Sequence, residues 1–213
     1  MPAFVLGNGP WLPVDDLDCL AERFTIGVNR IFQAPARFRP TVLLWVDGDC
    51  YRKHAEEMDN CGSLMICDRS VRRRQYHVGL ETCIGAAALQ KESLPERLCC
   101  NGNTGCCAAR WAAALGCDPV YLVGMSARYR DGRTDFYGDN PRHHLAEVGC
   151  TSSTLALMRR ELDRLMLDLG PVIVPVPDGE LLRDFAGECE PVDQEAVKAT
   201  IRSALATRGV EVI

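Results

Sequence analysis

The sequence predicts an α/β protein: a mostly parallel sheet with helices on both faces. Two observations carry this. Short continuous apolar runs, among them Ala3–Leu6, Thr41–Val46 and Pro119–Val123, read as strands buried on both faces. Helical stretches alternate with them along the chain, as crossover connections between parallel strands require. With 213 residues and no internal repeat or low-complexity linker, one domain over 1–213 is expected.

In order, Ala3–Leu6 runs into Gly7-Asn8-Gly9-Pro10, a strand followed by a tight turn. Asp15 or Asp16 can cap a short helix to Glu22, and Phe24–Val28 reads as the next strand, with Asn29 at its end. Thr41–Val46 ends in Asp47-Gly48-Asp49, and a polar helix over Tyr51–Met58 precedes a short strand at Ser63–Cys67. Residues 68–100 read as an insertion or lid, with a strand at Gln75–Leu80 and weak helical character over Ala86–Leu98. Asn101-Gly102-Asn103-Thr104-Gly105 opens a helix, Cys106–Leu115, that Gly116 stops. Pro119–Val123 is a strand ending in Gly124-Met125-Ser126, and a polar loop fills 128–142. Thr151 or Ser152 caps an amphipathic helix to Leu169, and a strand follows at Pro171–Pro175. The tail holds a helix at Asp193–Ala206 and an apolar Val210–Ile213 end with the character of an edge strand.

Composition excludes some functions. Hydrophobic residues make up 47% and charged residues 25%, an ordinary globular balance. A net charge of −5 argues against sequence-independent nucleic-acid binding, which needs a dense basic surface. The one basic cluster, Arg72-Arg73-Arg74, is either a solvated turn or a hold for an anionic substrate. No apolar stretch is long enough for a membrane span, and no secretion-signal pattern opens the chain, so a cytoplasmic protein is expected. The twelve cysteines include the doublets Cys99-Cys100 and Cys106-Cys107 but no C-x-x-C pair, so most read as small buried hydrophobes rather than metal ligands. Whether the chain forms a homo-oligomer stays open.

In an open α/β sheet, ligands collect beyond the carboxyl ends of the strands. The polar residues that follow strands directly are Asn8, Asn29, Asp47, Asp49 and Ser126, and the helix start at Asn103, Thr104 and Gly105 should approach the same edge. Gly7 and Gly9 with Pro10 either form a plain turn or let backbone N–H groups approach a phosphate. The helix start offers orphan N–H donors and a positive dipole end. Neither a G-x-G-x-x-G fingerprint nor a Walker loop is present. His143 and His144, at the end of the polar loop, are either a general base near neutral pH or local hydrogen-bonding residues. Asp139 and Asn140 either orient them or form an Asx turn. His54 and His77 read as surface or structural.

Together, Phe4–Pro10, Gly27-Val28-Asn29-Arg30, Asn103-Thr104-Gly105 with its Ala-rich helix, and Leu115–Gly124 resemble a Rossmann-like superfamily. It contains bacterial CMP-sialic-acid sialyltransferases, motility accessory factors that glycosylate flagellin, and archaeal 6-hydroxymethylpterin diphosphokinases. The resemblance covers residues 3–30 and 100–170. It implies that Gly7, Asn8, Gly9 and Asn29 contact the CMP portion of a donor and that Thr104-Gly105 faces the nucleotide. It also implies that Tyr129 and Tyr137 support the donor phosphate and that His143 or His144 deprotonates an acceptor hydroxyl, with no metal. Trp11 stands where a small Ser usually follows Gly-Pro, and Ser126 where many relatives have Gly-x-Asp.

Three functional expectations follow. The first is a transferase using a CMP- or UDP-type nucleotide-sugar donor, without a tightly bound cofactor, on a glycan or small-molecule acceptor. The second is an ATP-dependent pyrophosphokinase with Mg²⁺ on Asp47 and Asp49, which otherwise form an ordinary Asp-Gly turn. The third is a non-catalytic nucleotide-binding protein, as the short chain and the missing carboxylate at Ser126 would suit.

Overall fold

The computed structural model describes residues 1–34, 38–84, 94–100, 102–128, 135 and 151–212. Among them are eight strands: β1 (Ala3–Leu6), β2 (Thr25–Val28), β3 (Val42–Trp45), β4 (Leu64–Asp68), β5 (Val78–Ile84), β6 (Arg97–Cys100), β7 (Val120–Val123) and β8 (Ile173–Pro175). They form one sheet in the order β6-β5-β4-β3-β2-β1-β7-β8. Every neighbouring pair is parallel. The expected α/β class is therefore the observed one, Rossmann-like and parallel throughout. The chain winds outward from β1 to β6, then returns to place β7 and β8 on the other side of β1. That reversal puts a topological switch point between β1 and β7.

Alternation along the strands explains why both faces are buried. Ala3 and Val5 of β1 join one core with Ile26, Val42 and Ile66, while Phe4 and Leu6 join the other with Leu43, Trp45 and Met65. On the first face lie α2 (Thr104–Ala114), α3 (Thr151–Leu169) and α5 (Gln194–Ala206). The second is covered by α1 (Gly48–Asp59), α4 (Leu182–Gly187) and two 3-10 helices, Val14–Leu20 and Asn29–Gln33. Among the described residues, no helix is long and apolar enough to cross a membrane.

Helix ends are set by local chemistry. Asn103 caps α2 by accepting from the Gly105 and Cys106 amides at 3.0 and 3.2 Å. Asp193 does the same for α5. At the other end of α2, Cys117 N–H donates to Ala112 O and Gly116 N–H to Ala113 O. Gly116 has φ +85°, completing a Schellman turn whose apolar Cys117 drops into the core. The same pair of bonds ends α5, through Val210 to Leu205 and Gly209 to Ala206. This turn overturns the expected edge strand at Val210–Ile213. Val210 is carried into the core rather than to the sheet edge, and no strand forms over 210–212.

Within 68–100, the described residues supply β5 and β6 to the same sheet; 85–93 lie outside the described residues. The helical character expected up to Leu98 gives way to strand there, because Leu98 pairs with Thr82. Two members of the arginine cluster are tied into the structure. Arg72 bonds Glu211 and the Gln75 carbonyl, and Arg74 bonds Tyr51 and Asp59.

His77, fully buried, is packed edge-on against Trp45, Tyr51 and Tyr76 and meets Asp59 at 3.3 Å. Burial holds its pKa below the ordinary 6.5 despite that carboxylate. Burial pushes the Asp59 carboxyl up, but hydrogen bonds from Tyr76, Tyr51, His77 and Arg74 outweigh it and leave the pKa below 3.8. A histidine held neutral in the fold stabilises fully above its unfolded value and less as pH falls, because the unfolded chain then takes up the proton first. Stability should therefore decline as pH drops below 6.5, with a further loss below 3.8 from Asp59. Urea midpoints measured between about pH 8 and pH 5 should show that slope in the wild type and lose it in His77→Gln. An equal slope in both proteins would contradict the assignment.

Candidate functional site

Of the two alternatives for the Gly7–Pro10 turn, its glycine amides take the plain one. The Gly7 amide donates to Val123 O at 2.8 Å and the Gly9 amide to Gly124 O at 2.9 Å. Both N–H groups are thus spent extending the β1–β7 pairing past the strand ends, and neither faces an anion. The glycines are required for a different reason: a Cβ on either residue would lie 2.6 Å from the Gly124 carbonyl oxygen. The turn is a close backbone seam that fixes where Asn8 points.

Asn8 is buried, and its Nδ2 donates to Val28 O at 3.0 Å, joining the ends of β1 and β2. Next to it, Asn29 takes φ +48° as the chain leaves β2, a left-handed conformation that asparagine tolerates better than most residues. Ala127, just beyond β7, has φ +50°. These are the described non-glycine residues with positive φ, and both line one cavity. Strain of this kind concentrates at functional sites.

That cavity has a volume of about 330 Å³ and opens at the carboxyl edge of the sheet, at the switch point. The Gly7–Pro10 turn, Val28-Asn29, Val46-Asp47 and Gly124-Met125 form its strand-end wall. The start of α2, from Gly102 to Gly105, and Cys100 close another side. Ala127, Arg128, Asp135 and Met158 complete it. Met125 is the wedge between these parts, since a Cβ on Gly7 would meet its Cγ at 2.6 Å and one on Gly105 its Cε at 2.6 Å.

Polar groups on the wall divide by role. The carboxamide oxygens of Asn8 and Asn29 are buried and have no hydrogen-bond partner among the described residues. The orphan donors expected at the α2 start are partly filled, because the Asn103 side chain takes the Gly105 and Cys106 amides. The helix dipole and the exposed Arg128 remain as sources of positive potential. Asp47 and Asp135 add negative charge.

Eleven of the sequence candidates lie among the described residues, and nine of them meet at the cavity. Gly7, Asn8, Gly9, Pro10, Asn29, Asn103, Thr104 and Gly105 come together around the cavity, and Asp47 joins them. Ser126 does not: its side chain lines a neighbouring 200 Å³ hollow with Leu162, Pro175 and Asp178. Met125 lines both hollows, whereas Ser126 lines only the second. Asp49 is not on the cavity wall and pairs with Arg52, while Asp47 spends one oxygen capping α1 through the Asp49 amide at 2.9 Å. The two aspartates therefore do not present a joint cation site, and among the described residues no group of three or more His, Cys, Asp or Glu side chains could hold a metal ion. Tyr129, Tyr137, His143 and His144 lie outside the described residues, as do Asp139 and Asn140.

Sequence reasoning missed Cys100, Met125, Ala127, Arg128, Asp135 and Met158 as wall residues. For Ala127 no side-chain signal exists, because its distinction is a backbone angle. Arg128 and Asp135 carried a weak one, as charges in a polar loop directly after a strand.

A test of the seam follows. Gly9→Ala should cost about 1–3 kcal/mol of stability, because the Gly124 carbonyl that it would meet is itself held by the Gly9 amide. Chemical denaturation measures this, and a change within experimental error would mean that the seam is loose.

No protein-family model matches the chain, and no curated protein matches it. Solved structures similar to it include a variant of the sialyltransferase CST-II in complex with CMP, at 13% identity and a TM-score of 0.46 over 87% of this chain and 85% of that one. The sialyltransferase CstII from Campylobacter jejuni with cytidine-5'-monophosphate is similar at 14% identity and a TM-score of 0.45, covering 86% and 83%. CST-II with a trisaccharide acceptor and CMP follows at 12% and 0.44, covering 87% and 84%. At such identity the likeness is one of fold.

Proposed function

We propose that this protein is a transferase that takes a nucleotide-activated donor, a nucleotide sugar, in the cavity between β1, β2, β7 and the start of α2. The observation that carries the reading is the pair of buried carboxamide oxygens of Asn8 and Asn29 on the cavity wall, without a partner among the described residues. A buried acceptor left unsatisfied costs about 1–3 kcal/mol, so such groups ordinarily meet a donor when the site is filled. A phosphate dianion has no hydrogen to give; sugar hydroxyls and base amino groups do. The two asparagines therefore suit the nucleoside or sugar part of a ligand. The phosphate belongs towards Arg128 and the N-terminal end of α2, where the potential is positive.

In this reading the polar loop completes the reaction. His143 or His144 takes the proton of an acceptor hydroxyl, which attacks the sugar carbon with inversion, while Tyr129 and Tyr137 support the departing phosphate. The order of the sequence blocks that resemble the sialyltransferase superfamily makes cytidine the first nucleotide to test. The pyrophosphokinase reading finds no comparable support, since Asp49 is committed to Arg52 away from the cavity.

Thermal shift and calorimetry with CMP, UDP, GDP and ATP, each with and without Mg²⁺, test the proposal. CMP or UDP should bind without the metal. Asn29→Gly tolerates the left-handed backbone and should fold normally yet weaken that binding about tenfold or more, the equivalent of one buried hydrogen bond. Binding of ATP alone, dependent on Mg²⁺, or binding unaffected by Asn29→Gly would overturn it. With a donor identified, turnover should fall in His143→Ala or His144→Ala while donor affinity holds.

A further inference from the structure

The hollow beside the cavity lies at the carboxyl ends of β7 and β8, and Met125 and Arg128 line both spaces. Its β8 side is rigid. The Val176 amide donates to Leu122 O at 2.9 Å, carrying the β7–β8 pairing one step past β8, and Pro175 and Pro177 flank that residue. Leu122, Leu162 of α3 and the two prolines give the hollow an apolar surface. Two polar side chains interrupt it. The Ser126 hydroxyl oxygen is buried and has no hydrogen-bond partner among the described residues. Asp178, half-buried, follows Pro177 on the wall. A hydroxyl can donate and accept, and a carboxylate accepts. An apolar surface with a few placed polar groups is what a ligand pocket presents, and a buried hydroxyl ordinarily meets a partner when its site is filled. The volume of 200 Å³ equals the share of about seven waters in the liquid, which suits one six-membered ring with its substituents and not a nucleotide.

We propose that this hollow is the acceptor subsite and that it takes a single neutral monosaccharide unit, a proposal that rests on the transferase reading of the cavity. A sugar ring carries hydroxyls for Ser126 and Asp178 at its edge and C–H faces for Leu122, Leu162 and the prolines. An anionic acceptor would be repelled by Asp178, and a wholly apolar one would leave Ser126 without a partner. The shared residues set the two ligands side by side. The donor phosphate lies towards Arg128, and a ring in the hollow meets Met125 and Arg128 from the other side. Holding both reactants in adjoining pockets replaces a chance encounter with an oriented one. An acceptor oxygen then bonds to the donor sugar carbon, and the bond from that carbon to the phosphate oxygen breaks. Its electron pair leaves on the nucleotide, and the hydroxyl proton passes to His143 or His144.

Methionine methyl signals read the test in the full chain, which has six methionines. Met158 lines the cavity and not the hollow, whereas Met125 lines both, so the pair tells the two sites apart. Isotope-labelled methionine gives the NMR signals, and Met125→Leu and Met158→Leu assign them. Glucose, galactose, mannose and N-acetylglucosamine are titrated with and without CMP, and cyclohexanol serves as an apolar ring of similar size. At least one sugar should shift Met125 and leave Met158 in place, while CMP shifts Met158. Ser126→Ala and Asp178→Ala should each weaken the sugar response about tenfold, as loss of one hydrogen bond does, and leave the CMP response at Met158 unchanged. A sugar that shifts Met158 instead, equal sugar binding in the wild type and both variants, or cyclohexanol binding as tightly as any sugar would overturn the proposal. A CMP response with no sugar response at Met125 would overturn the subsite and leave the transferase reading in place. A sugar response at Met125 with no nucleotide response would overturn that reading while supporting a monosaccharide site in the hollow.

Discussion

The structure depends on how closely β1 and β7 approach beyond their last paired residues. Val123 and Gly124 pass within hydrogen-bond reach of Gly7 and Gly9, at a separation that excludes any side chain on the glycines. That seam spans the switch point, where the chain that has wound outward to β6 returns to the middle of the sheet. Everything that makes the cavity follows from it. Asn8 is pinned between the two glycines and turned to β2, Met125 emerges beside Gly7, and the backbone then takes the strained step at Ala127.

α2 is the second support. Its Asn103 cap and Schellman end fix its length, and small residues along it (Gly105, Ala108, Ala109, Ala112) let it lie flat against the middle strands. Trp111 is the exception in size; it is fully buried and donates its indole N–H to Pro95 O at 2.7 Å, locking the helix to the segment before β6. The helix start is thereby held against the strand-end wall, facing Asn8 and Asn29 across the cavity. A chemical division results: carboxamide acceptors on the strand side, positive potential from the helix end and Arg128 on the other. A ligand with both hydroxyls and phosphate matches that division better than either group alone.

How much of this the sequence discloses depends on the range of the interaction. Strand positions, the α2 stop at Gly116 and the cap at Asp193 are local facts, written in apolar runs and in Gly, Asn and Asp at the ends of helices. The gathering of Asn8, Asn29 and the 103–105 turn at one edge was legible too, because parallel strands put all their carboxyl ends on one side. The task of Gly7 and Gly9 was not. A glycine turn after a strand looks the same whether its amides face a phosphate or a neighbouring carbonyl, and the choice was made by β7, far along the chain. β6 was hidden because Arg97 to Cys100 is short and follows a stretch with helical character. Ser126 lines only the neighbouring hollow, because the chain leaves β7 through positive-φ steps at Gly124 and Ala127 that no local pattern announces. The end of the chain deceived for a comparable reason: its apolar residues serve a helix stop, not an edge strand.

Amide hydrogen exchange at Gly7 and Gly9, followed by NMR with and without CMP, tests this account most directly. The seam predicts that both amides are strongly protected in the unliganded protein and that nucleotide leaves their protection unchanged, while the side-chain amide signals of Asn8 and Asn29 shift. Rapid exchange of Gly7 and Gly9 without ligand, slowed only when nucleotide is added, would contradict it and restore the turn as an anion-binding loop.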